Sequence, residues 1–219
     1  MSKRKTAVTG EGPPEAVERD ARPPVEAIRA AAFAQFAERG YPVVTVRDIM
    51  KACGLTQGAL YNHFKSKDEL LHDIIASTQS ELERLCQQAV AGAGADARAQ
   101  LAAFVRVYVM RHCRLRIEAL VANREIGWLD TARVADIRRS RRAIRDIVVT
   151  ILSQGIERGV FDPPRIEGKH DLKAIAMALL DQCTHVSMWY GPGGDLAEEQ
   201  MAKLYTDMAL RVVGARPQD

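Results

Sequence analysis

The sequence predicts an all-α protein, a three-helix N-terminal head followed by a larger C-terminal helical body, and two observations carry that prediction. Between Thr45 and Lys67 the run TVRDIMKACGLTQGALYNHFKSK reads as two short helices on a tight turn and the start of a third. From Lys67 onward, apolar residues recur three and four positions apart in long stretches that stop at Gly- or Pro-rich breaks, the period of helices with a buried side. With 219 residues, 47% of them hydrophobic, the chain can fill the core of one head and one body.

Residues 1–24 hold Pro13, Pro14, Pro23 and Pro24 among Gly, Glu and Arg, a composition that cannot bury a core, so they are expected to form a flexible arm. Its Lys3, Arg4 and Lys5 suit either a minor groove or a solubilising tail. The first helix is expected from Val25 to Arg39, with Ile28, Ala32 and Phe36 inside and Gly40-Tyr41-Pro42 as its stop. Thr45 and Asp48 have the spacing of a helix-start cap, after which Val46, Ile49 and Ala52 share a face. Gly54 stands where a two-helix elbow needs positive φ, and Leu55 can fill the angle. Thr56 restarts the chain as an N-cap. The helix after it exposes Gln57, Gly58, Tyr61, Asn62 and His63 and turns Ala59, Leu60 and Phe64 inward. Ser66 with Glu69 is a capping box that opens the third helix at Lys67.

That polar face fits a helix-turn-helix, whose second helix lies in the major groove of double-stranded DNA. Gly58 permits close approach, and Gln57 and Asn62 carry amides able to donate and accept at adenine. Thr56, Tyr61, His63, Lys65 and Lys67 suit phosphate oxygens, and Thr45 completes the candidate DNA-contact set at the start of the first elbow helix. A helical hairpin within an all-α core is the competing reading of the elbow alone.

The match extends beyond the elbow. The run IRAAAFAQFAERGYPVVTVRDIMKACGLTQGALYNHFKSKDELL, Ile28 to Leu71, resembles the DNA-binding head of the TetR family of bacterial transcriptional regulators. Its specific parts are AERGY, TVRDI, the C-G-L elbow, GALYNHF and KSKDELL; Val44 and Met50-Lys51 are mild departures. The resemblance implies a helix-turn-helix domain at 25–70 and a ligand-binding and dimerisation domain at 71–219. It further implies a homodimer on a pseudo-palindromic operator and repression relieved by a small-molecule effector.

The helix from Lys67 to the AGAGA break at 91–95 is expected to link head and body as a rigid rod. Asp96 opens a helix with Leu101, Phe104, Val105, Tyr108 and His112 on one side, which makes Tyr108 and His112 either a satisfied core pair or the lining of a cavity. A shorter piece broken at Gly127 carries Asn123, Glu125 and Trp128. Residues 106–145 hold eleven basic against four acidic side chains, on a chain whose net charge is only +3. In the helix from Thr131 to Arg158, Arg138, Arg139 and Arg142 point away from the apolar stripe and Arg141 falls within it. An inward arginine needs an internal carboxylate, such as Glu125 or Asp181, or an anionic guest. Phe104, Tyr108, His112, Asn123, Trp128 and Arg141 are therefore the candidate ligand residues.

The helix DLKAIAMALLDQCTHVSMWY is apolar on two sides and so buried on both. With the last helix, striped by Met201, Leu204, Tyr205, Met208 and Val212, it suits a twofold four-helix interface. ILSQGIERGVF and SMWYGPGGDLAEEQ are similar to TetR regulators of steroid and fatty-acid breakdown, which implies an acyl-CoA thioester as effector. Where some members flank the W-Y pair with arginines, this chain has Met188 and Gly191. An apolar or aromatic effector is the broader alternative.

An enzyme is not expected, because no nucleophile elbow, P-loop, HExxH or dinucleotide fingerprint is present. Catalytic residues, metal ligands and cofactors are accordingly expected to be none. Cys53, Cys86, Cys113 and Cys183 are scattered as buried thiols would be, and no apolar run approaches a membrane span, which predicts a cytoplasmic protein. A helical adaptor or small-molecule-binding protein without DNA activity is the competing class.

Overall fold

The computed structural model describes residues 24–191 and 194–216, and all of the expected basic arm except Pro24 lies outside them. α1 runs from Pro24 to Arg39 and buries Ile28, Ala32 and Phe36 completely before Gly40 turns the chain at φ +81. α2, Val46–Ala52, opens with a full capping box: Thr45 Oγ1 accepts the Asp48 N–H at 3.2 Å, and the Asp48 carboxylate accepts the Thr45 N–H at 3.0 Å. Gly54 makes the elbow at φ +66. The element after it corrects the expected α-helix: Gln57–Asn62 is a six-residue 3-10 helix, wound more tightly.

α3 spans Lys67–Gly92, 26 residues, or about 39 Å at 1.5 Å per residue. Its cap differs in one detail from the expected box. Ser66 accepts the Glu69 N–H at 3.1 Å, but the Glu69 carboxylate reaches back to the Lys65 N–H, at 2.6 Å, one residue early. The body continues with α4, Ala97–Arg114, capped by Asp96, and α5, Arg116–Arg124, which runs into a short 3-10 turn, Glu125–Trp128. α6, Thr131–Glu157, is capped by Asp130; α7, Leu172–Trp189, and α8, Glu198–Val212, complete the chain. Gly155 of α6 has no substitute, since a Cβ there would stand 2.0 Å from the Phe161 ring that folds back onto the helix.

Two cores hold these helices, and the seam between them matters for function. The body core is arranged around α4, whose Leu101, Phe104, Val105 and Val109 meet Leu82 and Cys86 of α3, Ile144 and Val148 of α6, Leu179 and Cys183 of α7, and Met201 and Tyr205 of α8. The head core gathers Ile28, Phe36, Ile49, Leu60 and Phe64 with Leu70, Leu71 and Ile75 at the start of α3. It also includes Val121 and Ala122 of α5, Leu129, and Ile137 of α6. Fully burying such a side chain contributes about 1.5–3 kcal/mol, so Val121 and Ile137 tie α5 and α6 to the head.

The expected stripe on α8 divides into two faces. Met201, Ala202, Tyr205 and Ala209 pack inward, whereas Leu204 and Val212 stay exposed. On α7, likewise, Leu179, Cys183 and Val186 are buried while Met177, Met188 and Trp189 are exposed.

Candidate nucleic-acid interface and effector cavity

In the head, the local signals place the side chains where the pattern predicted. Gln57, Gly58, Tyr61, Asn62 and His63 are all exposed, and Leu60 and Phe64 beneath them are buried. A side chain at Gly58 would meet nothing within 4 Å, so no internal packing requires the glycine there. Thr56 has extended backbone, and its hydroxyl makes no capping bond. Thr45 differs, since its hydroxyl donates to Asp48 at 2.8 Å as well as capping α2.

Lys67 turns inward. Its ammonium donates to the carbonyls of Tyr41 at 3.0 Å and Val44 at 2.8 Å and stands 4.1 Å above the Tyr41 ring centroid. Two of its three N–H donors are thus committed to the loop between α1 and α2, whereas Lys65 next door has an exposed side chain. Tyr41 is the hub of this loop: its hydroxyl bonds Asp68, its ring packs edge-on to Phe36 at 5.2 Å, and Trp128 lies 6.4 Å away. Burial first, and the Asp68 carboxylate second, push the Tyr41 phenol well above its usual range.

Head and body are joined by polar contacts as well. Arg29 of α1 clasps Asp73 of α3 with bonds of 2.6 and 2.9 Å, and His72 of α3 meets Asp136 of α6 at 3.0 Å. Arg124, at the end of α5, donates to the Phe36 carbonyl at 2.7 Å and to the buried Glu125 at 2.6 Å.

In the body, a cavity of about 460 Å³ opens between α3, α4, α5, α6 and α7. Tyr108, His112, Asn123 and Arg141 line it, as four of the six candidate ligand residues. The other two do not. Phe104 is fully packed in the core behind Tyr108, at a ring separation of 5.7 Å, and Trp128 sits in the 3-10 turn against the head.

The arginine run gains a role that its direction alone did not show. Arg138 and Arg142 are exposed, as their direction away from the stripe predicted, and also line the cavity with Arg141, Arg145 and Arg111; Arg139 stays outside the lining, paired with Asp136 at 2.7 Å. Five guanidiniums thus line the cavity with two carboxylates, Glu118 and Asp181, and of the five Arg145 is also paired with Asp146, outside the lining, at 2.6 Å. Arg141 donates to the Ala122 carbonyl at 3.2 Å and the Asn123 amide oxygen at 2.9 Å, and among the described residues it has no carboxylate partner. Glu125, one of the two suggested, belongs to Arg124.

Tyr108 and His112 add uncharged groups to the lining. His112 is buried with Nδ1 2.8 Å from the Tyr108 carbonyl, and burial pushes its pKa down to about 4. The Tyr108 hydroxyl pairs with Thr184 at 2.9 Å, and burial pushes that phenol far up. Burial raises the Glu118 carboxyl, opposed by the nearby Arg111.

A three-helix head with an outward polar elbow, fused to a helical body that encloses a charged cavity, defines a DNA-binding regulator with its own ligand chamber. Residues 28–74 match the model for bacterial regulatory proteins of the tetR family, and residues 94–213 match the tetracyclin repressor-like C-terminal domain. The chain belongs to the TetR family and is a DNA-binding transcriptional regulator, in a family that is not enzymatic. It is 32% identical over 196 residues to the transcriptional repressor KstR2 of Mycobacterium tuberculosis, covering 82% of this chain and 87% of that one. The solved structure of that ketosteroid regulator superposes with a TM-score of 0.77 at 25% identity, over 92% of this chain and 100% of that one. The structure of AibR in complex with isovaleryl coenzyme A and operator DNA superposes with a TM-score of 0.75 at 23% identity, covering 88% and 99%. No helix among the described residues is long and apolar enough to cross a membrane.

Proposed function

We propose that the protein is a homodimeric repressor that binds a pseudo-palindromic operator and leaves it when an acyl-CoA thioester enters the body cavity. The observation that carries the effector half is the set of five arginines against two carboxylates around one chamber. Guanidinium forks match phosphate oxygens bidentately, and coenzyme A presents several phosphates at one end of an otherwise uncharged thioester. Arg138 and Arg142 are exposed at the mouth while Arg141 is half-buried, so the phosphates meet the outer arginines and the acyl group passes toward Tyr108 and His112. The related KstR2 is a ketosteroid regulator, and the AibR structure contains an acyl-CoA together with operator DNA, which supports the same class of effector here.

In this reading residues 25–70 form the DNA-binding domain and 71–219 the ligand-binding and dimerisation domain. Gln57, Gly58 and Asn62 read bases, and Thr56, Tyr61, His63 and Lys65 hold phosphates. Thr45 and Lys67 support the loop and the cap that aim them. The exposed Met177, Met188, Trp189, Leu204 and Val212 on α7 and α8 supply an apolar face for a second copy under twofold symmetry. α3 links head and body, and a change in its tilt alters the spacing of the paired heads.

The test begins with genomic fragments selected by the purified protein, which yield the operator. Operator binding is then followed by anisotropy during titration with thioesters of short and long acyl groups, beside free coenzyme A and the matching free acids. Release by thioesters at concentrations where the free acids do nothing supports the proposal. Release by the free acids alone, or by none of the series, contradicts the effector assignment, and absence of any salt-sensitive selective site contradicts the DNA half.

A further inference from the structure

A second hollow of about 400 Å³ adjoins the arginine-lined cavity, between α1 of the head and α3 of the body. Ala30, Phe33 and Ile74 form its apolar side, and Glu26, Arg29, Ser77, Thr78, Arg111 and Glu118 line the rest. Arg29 there is taken by Asp73 at 2.6 and 2.9 Å and by Glu26 at 3.1 Å. Its apolar side, between α1 and α3, can take an uncharged tail.

The partition between the two spaces is loose. Thr78, Arg111 and Glu118 line both of them. Only 13% of the Arg111 side chain is exposed, yet its contacts there are long: 3.9 Å to Glu118 and 3.5 Å to the Thr78 carbonyl. A guanidinium has five donors in a rigid fork, and one this buried is ordinarily held by close acceptors. Arg111 is under-served at the point where the two hollows meet.

We propose that the two hollows are one bent channel with Arg111 and Glu118 at its waist, and that the effector is an elongated amphiphile. Its anionic end rests on the α6 arginines, a carbonyl meets Arg111, and its apolar tail passes the waist and ends beneath α1. This rests on the effector reading above and adds to it a length requirement. A tail that passes the waist touches Ala30 and Phe33, which belong to the first helix of the DNA-binding head. Reach then decides the outcome: a short thioester occupies the arginine chamber without disturbing the head, and a long one does both.

The experiment uses the full-length protein with acetyl-, butyryl-, octanoyl- and dodecanoyl-CoA, measuring affinity by calorimetry and operator release by anisotropy. Two variants fill the hollow from opposite walls, Ala30→Phe from α1 and Ser77→Phe from α3, both at exposed positions, with thermal melts confirming that each folds. In the unmodified protein, affinity rises roughly fourfold for each methylene that enters the hollow, and release sets in only with the longer chains. Each filled variant flattens that rise, with a loss of tenfold or more confined to dodecanoyl-CoA. If the variants keep the full rise, or acetyl-CoA releases the operator as completely as dodecanoyl-CoA, the second arm is wrong and the arginine chamber alone is the site. Binding of no member of the series overturns both readings together.

Discussion

Lys67 in the head and Arg141 in the body are both partly buried cations, and burial draws each below its usual pKa. Their surroundings are otherwise unlike. Lys67 has two carbonyls within 3.0 Å and an aromatic face beneath it, all from one loop that it holds in place. Arg141 has one carbonyl and one amide oxygen, and its neighbours in the cavity wall are more arginines. Concentrating like charge beside a half-buried guanidinium costs folding free energy. The head is complete as a folded object and presents its chemistry outward, whereas the cavity concentrates charge that a bound anion would offset.

That contrast can be sharpened first with pH. In the cavity lining, buried His112 stays neutral because its pKa is about 4, against an ordinary value near 6.5. As pH falls below about 6.5 the unfolded chain takes up this proton and the folded one does not, so stability falls, and the loss is complete below about pH 4. Its size is roughly 3 kcal/mol at about 1.4 kcal/mol per unit. Denaturant melts at neutral and acid pH should show this loss in the wild type and a smaller one in His112→Gln.

Next in size is the division of labour on the head. Gln57→Ala or Asn62→Ala should cost about 1–3 kcal/mol at particular bases and leave other sequences little changed. Lys65→Ala should instead weaken all sequences alike and reduce the salt slope by about 0.9. A competition assay on randomised operators separates the two patterns, and a uniform effect from the amide variants would contradict the placement of the reading face.

The smallest effect belongs to Lys67. Replacing it by Met leaves the Tyr41 and Val44 carbonyls without their donor, and we expect about 1 kcal/mol of destabilisation, moderated by partial exposure. The salt slope should barely move. A slope reduced by a full unit would show that the remaining donor reaches a phosphate.

These side chains also mark how much the sequence disclosed. The head was legible because its signals are local: a capping pair three residues apart, Gly54 at positive φ, and polar and apolar positions alternating over a few residues. The tighter winding of Gln57–Asn62 was not legible, because 3-10 and α turns place inward residues on nearly the same side. In the body, helical angle gives a direction without the neighbour. Phe104 points inward as expected but into packed core, and Trp128 swings to the head because its 3-10 turn leaves the helical register. Arg138 and Arg142 point away from the α6 stripe, yet the cavity is open enough on that side for them to line it. Arg111 and Glu118, on α4 and α5, come together only in three dimensions, and no spacing along the chain announces them.

The central claim is that a long-chain thioester anchored on the arginine wall and DNA on the head disfavour one another. Arg141 joins the two, since the carbonyl and amide it holds belong to Ala122 and Asn123, directly before Arg124 and its bond to the Phe36 carbonyl of α1. The most direct measurement is the ratio of operator affinities without and with saturating dodecanoyl-CoA, in the wild type and in Arg141→Met. A coupling of about 1–3 kcal/mol predicts a wild-type ratio of roughly 5 to 150 that collapses toward 1 in the variant. An Arg141→Met protein that binds operator and still shows the wild-type ratio would contradict the account.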